Sequence, residues 1–516
     1  MNGTYAFGHD LAFDPANPRT YPERLSIRVP GPLKYEMISH TYELYAQDKW
    51  QVTPGLTFSL GVRYDLEVTP IYEADNPLFA DPTKYPVDKD NLAPRLGLIW
   101  NPDGEGRSVV RGGYGIFYDR TLLGTIDDFL FATKYSRSFI ADFPQDNPDP
   151  NPGRGLFPTE PVLNTPTVTE LTPAVRAYIN SLYPPGTVRR NNGQVVFDDP
   201  DRKQPKFHQA SVGYERELLP GVSASADYVH MVGRDMFLNP NLNIVHRLNT
   251  SRTGPVQRLD PFGVLNPSLA PGEGPYLGAV SLRTTKYGYT YYDALNLSVE
   301  KRYANNWNIR GAYSLGYSRG TASSQGDAPL FQVGSNLNLK AFEAPHNTDR
   351  RHTAAISGRM EIPKTGGVTV SGTLRLLSGQ PFTIHDSTFD LDQNGIPVDP
   401  LPAGVYNPFP EAGDHVLRNV KNKGGRNGAR GPGFQQLDLR VGYRLRLGGR
   451  RTFDVFGEVF NATNHANFTN GPSPANTNNT PAMGDMRNRA NFLRLTELVA
   501  VTGLPRQFQL GLRFGF

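Results

Sequence analysis

Residues 506–516 read RQFQLGLRFGF. From Phe508 onward every second side chain is large and apolar: Phe508, Leu510, Leu512, Phe514 and Phe516. Gln509, Gly511, Arg513 and Gly515 occupy the other side. A repeat of two over this length predicts a β-strand with one apolar and one polar face. The ends of soluble domains are commonly frayed. This end instead predicts a strand that has to be paired.

The same alternation recurs upstream. In LTFSLGVRYDLEV (56–68), Leu56, Phe58, Leu60, Val62, Tyr64, Leu66 and Val68 share one face. Arg63, Asp65 and Glu67 lie on the other. In WNIRGAYSLGYS (307–318), Trp307, Ile309, Tyr313, Leu315 and Tyr317 oppose Asn308, Arg310, Ser314 and Ser318. In QQLDLRVGYRLRL (435–447), Leu437, Leu439, Val441, Tyr443, Leu445 and Leu447 oppose Asp438, Arg440, Arg444 and Arg446. The predicted strands run to about ten residues or more, longer than most globular strands and long enough to cross a bilayer at a tilt.

The connections alternate between short and long. TPG (53–55), NPDGEG (101–106), LPG (219–221), YANN (303–306), PKTGG (363–367) and LGGR (447–450) have the Gly, Pro, Asn and Asp content of tight hairpins. Between them fall long Pro-, Asn-, Asp- and Gly-rich segments, at about 9–37, 69–90, 120–204, 234–288, 319–348, 381–432 and 464–504. Short turns on one rim and long loops on the other match the periplasmic and extracellular sides of an outer-membrane barrel. Hydrocarbon offers no hydrogen bonds, so a sheet crossing it must close on itself. The expected fold is therefore all-β: an antiparallel transmembrane β-barrel filling residues 1–516, with about fourteen strands if NGTYAFG near the start is one.

Composition agrees with this reading. The chain has 53 basic and 49 acidic side chains and a net charge of +4. That near-balance leaves no nucleic-acid footprint. It has no cysteine, which excludes disulfides, thiolate metal sites and a Cys nucleophile and suits passage through an oxidising compartment. A mean hydropathy of −0.46 and the lack of a long apolar run exclude a helical span. A barrel is not excluded, because lumen residues dilute the hydropathy of each strand. MNGTYAFGHD has neither a basic nor an apolar leader region, so no signal peptide is expected there.

Several segments resemble TonB-dependent outer-membrane receptors, in particular their Oar-like branch. They are YELYAQDKWQVTPGLTFSLGVRYD (42–65), NLAPRLGLIWNP (91–102), SVVRGGYGIFYDR (108–120), DRRHTAAISGRMEIP (349–363), LSGQPFT (377–383), FDVFGEVFNATNHANF (453–468) and the terminal RQFQLGLRFGF. They occur in family order along nearly the whole chain. The resemblance implies a barrel of about 22 strands around a plug, with roughly eight strands outside this sequence. The plug, the TonB-contacting segment and the N-terminal regulatory-like domain are not visible, so TonB would be engaged only through a plug this chain does not show. It also implies an outer-membrane location, contacts with outer-membrane lipid and lipopolysaccharide, and assembly by the barrel machinery, with Phe514 and Phe516 as the C-terminal signal. The implied activity is capture of an unidentified ligand by the loops and its passage through the lumen, without covalent chemistry.

Local motifs add less. Arg63, Asp65, Glu67, Arg310, Asp438, Arg440, Arg444 and Arg446 are the candidate lumen residues, binding a plug or solute or simply keeping the interior wet. Trp50, Tyr64, Trp100 and Phe516 are candidates for interfacial girdles. DLDQNGIPVD (390–399) places Asp390, Asp392, Asn394 and Asp399 as in the opening of a calcium loop. Leu401 stands where an EF-hand needs Glu, so any calcium would sit in a simple extracellular loop; no other cofactor is expected. GYSRG (316–320) fits G-x-S-x-G, but no helix pattern follows, and Ser318 is expected to be a strand-end hydroxyl. KNKGGRNGARGPG (421–433) is either a cradle for phosphate or lipopolysaccharide headgroups or, preferentially, a flexible loop. His346 and His352 form the closest histidine pair and lack zinc spacing. Two further readings remain open: a self-sufficient passive channel, and a secreted β-rich binding module, which would need apolar residues on both strand faces.

Overall fold

The computed structural model describes residues 38–69, 86–120, 199–238, 284–321, 343–386, 399–448, 451–468 and 484–516, apart from 496–497 and 500–502, together with scattered short strands and single residues. Thirteen long strands form one meander. They are β1 (His40–Thr53), β2 (Leu56–Val68), β3 (Leu92–Trp100), β4 (Ser108–Tyr118), β5 (Lys206–Leu219), β6 (Val222–Arg234) and β7 (Tyr289–Ala304). The series continues with β8 (Trp307–Gly320), β9 (His352–Glu361), β10 (Val368–Leu377), β11 (Phe434–Arg446), β12 (Thr452–Phe460) and β13 (Gln507–Gly515). Each pairs antiparallel with its sequence neighbours.

The fourteenth strand of this sheet is the two-residue Ala344–Pro345, which pairs with the end of β8. It is not the N-terminal segment. Asn2–Ala6 instead pairs with Arg24–Val29, in a separate four-stranded sheet that also holds Arg137–Asp142 and Arg189–Asn191. This corrects the assignment of NGTYAFG to the barrel. At five residues the strand is too short to cross hydrocarbon.

All six predicted tight turns join consecutive long strands and lie on one rim. Asn305 and Asn306 both have positive φ, 56° and 68°. That is the backbone of the twist-matched two-residue hairpin, and asparagine tolerates it better than most residues. The long connections all return at the other rim.

The register carries the alternation across the sheet. One row runs Tyr313, Ala354, Leu376, Gln435 across β8 to β11, and the next runs Gly311, Ile356, Leu374, Leu437. The apolar face is open to its surroundings: Leu44 is 72% exposed and Leu510 89%. The largest fully buried side chains are Phe382, Phe492, Leu238 and Ile384, all outside the long strands. A sandwich would bury the strand side chains themselves, so the secreted-module reading loses its physical basis. The chain's three tryptophans, Trp50, Trp100 and Trp307, are all exposed beside tight turns, as an interfacial girdle requires.

Two features were not predicted. First, among the described residues β1 and β13 do not pair, so the sheet is open along both strands. With thirteen long strands both edges run from the loop rim to the turn rim, and a direct seam between them would be parallel. Second, the 381–432 segment has its own core. Phe382, Ile384, Val420 and Ala429 pack against Phe492 and Leu493 from the last long connection. Short ladders join Pro381–Phe382 to Ala429–Arg430 and Gly404–Tyr406 to Val420–Asn422. Proline and glycine concealed this core from the sequence, because its apolar residues meet only through distant contacts.

Candidate functional site

All eight predicted charged residues lie on the polar face, where they join others that the same phase would have identified. Arg63 lies between Glu43 and Asp65, 2.8 Å from each. Arg120 reaches the same Glu43 at 3.1 Å, and Ser39 Oγ donates to Glu67 at 3.4 Å. The Arg95 guanidinium lies 4.7 Å over the Phe117 ring. These groups surround a cavity of about 300 Å³ on β1 to β4, near the loop rim, with Gln204 at its edge. Three arginines face three carboxylates, so the cavity is close to neutral while offering donors and acceptors side by side.

A second cluster crosses three strands. Arg111 on β4 pairs with Asp227 on β6 through two bonds of 2.8 Å and with Glu215 on β5 at 2.9 Å. Gly213 lies between Arg111 and Asp227 in the ladder. A Cβ there would collide with the Asp227 carboxylate and stand 2.9 Å from Arg111 Nε, so the bridge depends on glycine. The alternation in SVVRGGYG already placed Arg111 opposite Val110 and Tyr114. Its reach over a glycine to a carboxylate two strands away was not legible.

The third cluster lies on β10 to β12. Arg375 donates to Gln436 at 3.0 Å and stands 3.7 Å from Asp438. Arg440 meets Glu458 at 3.2 Å and stacks 3.6 Å over Phe456. Arg444 forms a fork to Asp454 at 2.6 and 2.8 Å. Arg310 is opposite Glu300 in the ladder, and Arg446 is opposite Thr452. Phe514 projects from the apolar face opposite Phe453, and Phe516 is 96% exposed beyond the strand end.

At the loop rim a buried network ties two connections to the ends of β7 and β8. Asp349 accepts from the Ser318 amide at 2.8 Å and pairs with Arg430. The His346 ring lies between two hydroxyls, Ser318 Oγ at 2.7 Å and Thr290 Oγ1 at 3.1 Å. Burial, helped by the nearby Arg426 charge, pushes His346 down to about 4. Both ring nitrogens are engaged, so Ser318 belongs to a structural bridge and not to a nucleophile elbow. Arg426 donates to the Gly320 carbonyl at 3.0 Å, and its burial lowers it to about 10. Two arginines of the basic glycine-rich segment are thus committed to the fold. Beside the cavity, burial raises Asp88, while Lys203 holds Asp90 below the usual carboxylate range.

Asp390, Asp392 and Asn394 of the calcium-loop motif lie outside the described residues. Asp399 is buried. Among the described residues no group of three or more His, Asp or Glu side chains is arranged to hold a metal.

Comparison with known proteins bears on this polar-faced sheet. A family described as "outer membrane beta barrel domain" matches residues 22–509. The TonB-dependent transporter Oar of Myxococcus xanthus is 27% identical over 188 residues, which is 36% of this chain and 16% of that protein. The outer membrane transporter YddB of Escherichia coli aligns with a TM-score of 0.47 at 13% identity, over 92% of this chain and 45% of that one. The ferric enterobactin receptor PfeA of Pseudomonas aeruginosa aligns with a TM-score of 0.44 at 12% identity, over 92% of this chain and 44% of that one. The chain thus spans less than half the length of each of these relatives. With the family match extending over nearly all of it, the chain belongs to the outer-membrane β-barrel domain family, a family of the bacterial outer membrane.

Proposed function

We propose that the chain forms the barrel wall of a TonB-dependent receptor-transporter, with the loops capturing a ligand and the charged face lining its path. The observation that carries this reading is the polar face itself: paired charges stand on ten of the thirteen long strands or beside them and do not pack against a second sheet. Ion pairs that neutralise one another keep such a path wet without a strong field of either sign. The near-neutral cavity by Arg63 and Arg95 suits a polar solute carrying both donors and acceptors. The similarity to Oar supports the transport class. TonB would act through a plug, and the ligand's identity is left open.

The protein has no cysteine, so single introduced thiols report on the wall directly. Ser314→Cys on the polar face is expected to react with a membrane-impermeant maleimide in intact cells, and Leu295→Cys on the apolar face only with a lipid-soluble one. If the barrel is energised, collapsing the inner-membrane potential with a protonophore slows labelling at residue 314 several-fold. Labelling indifferent to the protonophore favours the passive channel, and equal labelling of both faces sinks the barrel reading.

A further inference from the structure

The cavity of about 300 Å³ on β1 to β4 holds one arginine whose charge the wall leaves unanswered. Arg63 is pinned between Glu43 and Asp65, and Arg120 shares Glu43. Arg95 has no carboxylate partner among the described residues. Its guanidinium lies over the Phe117 ring, 4.7 Å from the ring centre. A ring attracts the cation without replacing the oxygen acceptors that its five N–H groups call for.

The surrounding wall leaves room in front of this group. Across β1 to β5 the polar-face row reads Gln47, Gly61, Arg95, Gly115, Gln209. The two glycines remove the side chains that would otherwise flank Arg95, and an amide stands one strand further out on each side. Four strand spacings separate the two glutamines, about 19 Å in all, which is wide enough for a small solute. Gly115 is also required by the stack: a Cβ there would stand 2.9 Å from the Phe117 ring and 3.4 Å from Arg95 Cγ. The charges select the ligand. An arginine fork matches the two oxygens of a carboxylate. Glu43, Asp65 and Glu67 line the same cavity, so a doubly charged phosphate meets more repulsion there than a single negative charge.

We propose that Arg95 anchors the carboxylate of a small organic acid or peptide at the loop-side mouth of the path, with Phe117 positioning the guanidinium. The site rests on the polar face lining a solute path. It is read out by equilibrium binding, so its failure leaves the labelling and protonophore experiment standing. The test uses the full chain extracted from outer membranes in mild detergent. The probe is para-fluorobenzoate, followed by the broadening of its fluorine NMR line, with para-fluorobenzamide as the uncharged match. The acid is expected to bind and the amide not. Arg95→Gln weakens binding of the acid about tenfold, equivalent to ~1.4 kcal/mol. Arg95→Lys, which keeps the charge and loses the fork, weakens it less. Phe117→Leu weakens it in the wild-type background and has no further effect beside Arg95→Gln. Lys364→Gln, which removes a positive charge from a tight turn at the opposite rim, leaves it unchanged. Heat-modifiable gel mobility confirms that each variant is folded. Acetate displaces the probe more effectively than inorganic phosphate. Displacement by trialanine, and not by its C-terminal amide, extends the site to peptides; displacement by acetate alone confines it to free acids. Equal binding of the acid by wild type and Arg95→Gln overturns the site, as does equal binding of acid and amide, stronger displacement by phosphate, or an equal loss in Lys364→Gln.

Discussion

Gly213 and His346 each hold distant segments together by what surrounds them. Gly213 has no side chain, and that lets Arg111 cross to Asp227. Gly213→Ala is expected to push the carboxylate aside and cost about 1–3 kcal/mol, as overpacking typically does. Gly311→Ala, where a Cβ would meet nothing within 4 Å, is expected to stay within about 0.5 kcal/mol of wild type. Thermal unfolding of both variants in detergent makes the comparison. His346 acts through protonation. Its folded value is depressed from 6.5 to about 4, so as pH falls the unfolded chain takes up the proton before the folded one. The rim network is therefore fully stable above pH 6.5 and loses up to about 3 kcal/mol by pH 4. The Asp349 carboxylate favours the charged ring and Arg426 opposes it, and burial outweighs the help from Asp349. Hydrogen exchange at the His346 amide, which donates to the Ser318 carbonyl at 3.0 Å, is expected to accelerate over that range after correction for intrinsic rates. His346→Gln should abolish the pH dependence.

The strands and the loops differed in how far the sequence disclosed them. The long strands and all six tight turns were legible, because a period of two and a Gly or Asn punctuation mark are local signals. The charged face was legible for the same reason: one correctly phased residue, such as Arg63 or Asp438, locates every other polar position on its strand. Partners across strands were not legible, since Arg111 and Asp227 are separated by most of a long loop. The core joining Phe382 and Ile384 to Phe492 was also hidden, because its two halves are more than a hundred residues apart. That core makes a separate cooperative element. Phe492→Ala is expected to cost about 3–5 kcal/mol locally and to release the 381–432 connection without unfolding the wall. Protease added to intact cells should then cut within 381–432, while the heat-modifiable mobility of the barrel persists. Loss of both together would show that loop core and wall are one unit.

The assembled sheet raises a question of parity. Among the described residues β1 and β13 each pair on one side only, and a bare strand edge in hydrocarbon leaves several polar backbone groups unsatisfied. Both strands run from loop rim to turn rim, because thirteen antiparallel strands separate into seven of one sense and six of the other. Joining β1 to β13 directly would need a parallel seam, and so would joining β13 to β1 of a second copy in the same membrane. Two antiparallel seams are obtained only if an odd number of further strands lies between them, with the first and last running from turn rim to loop rim. The polypeptide that supplies these strands is unspecified by the geometry; their number has to be odd. Introduced thiols test this in the full chain. Gln47→Cys midway along β1 and Gln509→Cys near the start of β13 both lie on the polar sides of their strands, and the double variant is expected to form no disulfide under oxidation in the outer membrane. Gln47→Cys with Gly61→Cys, adjacent across the β1–β2 ladder, should cross-link and serves as the positive control. An efficient disulfide between residues 47 and 509 would mean that the two edges meet directly, and the requirement for an odd complement of strands would fall.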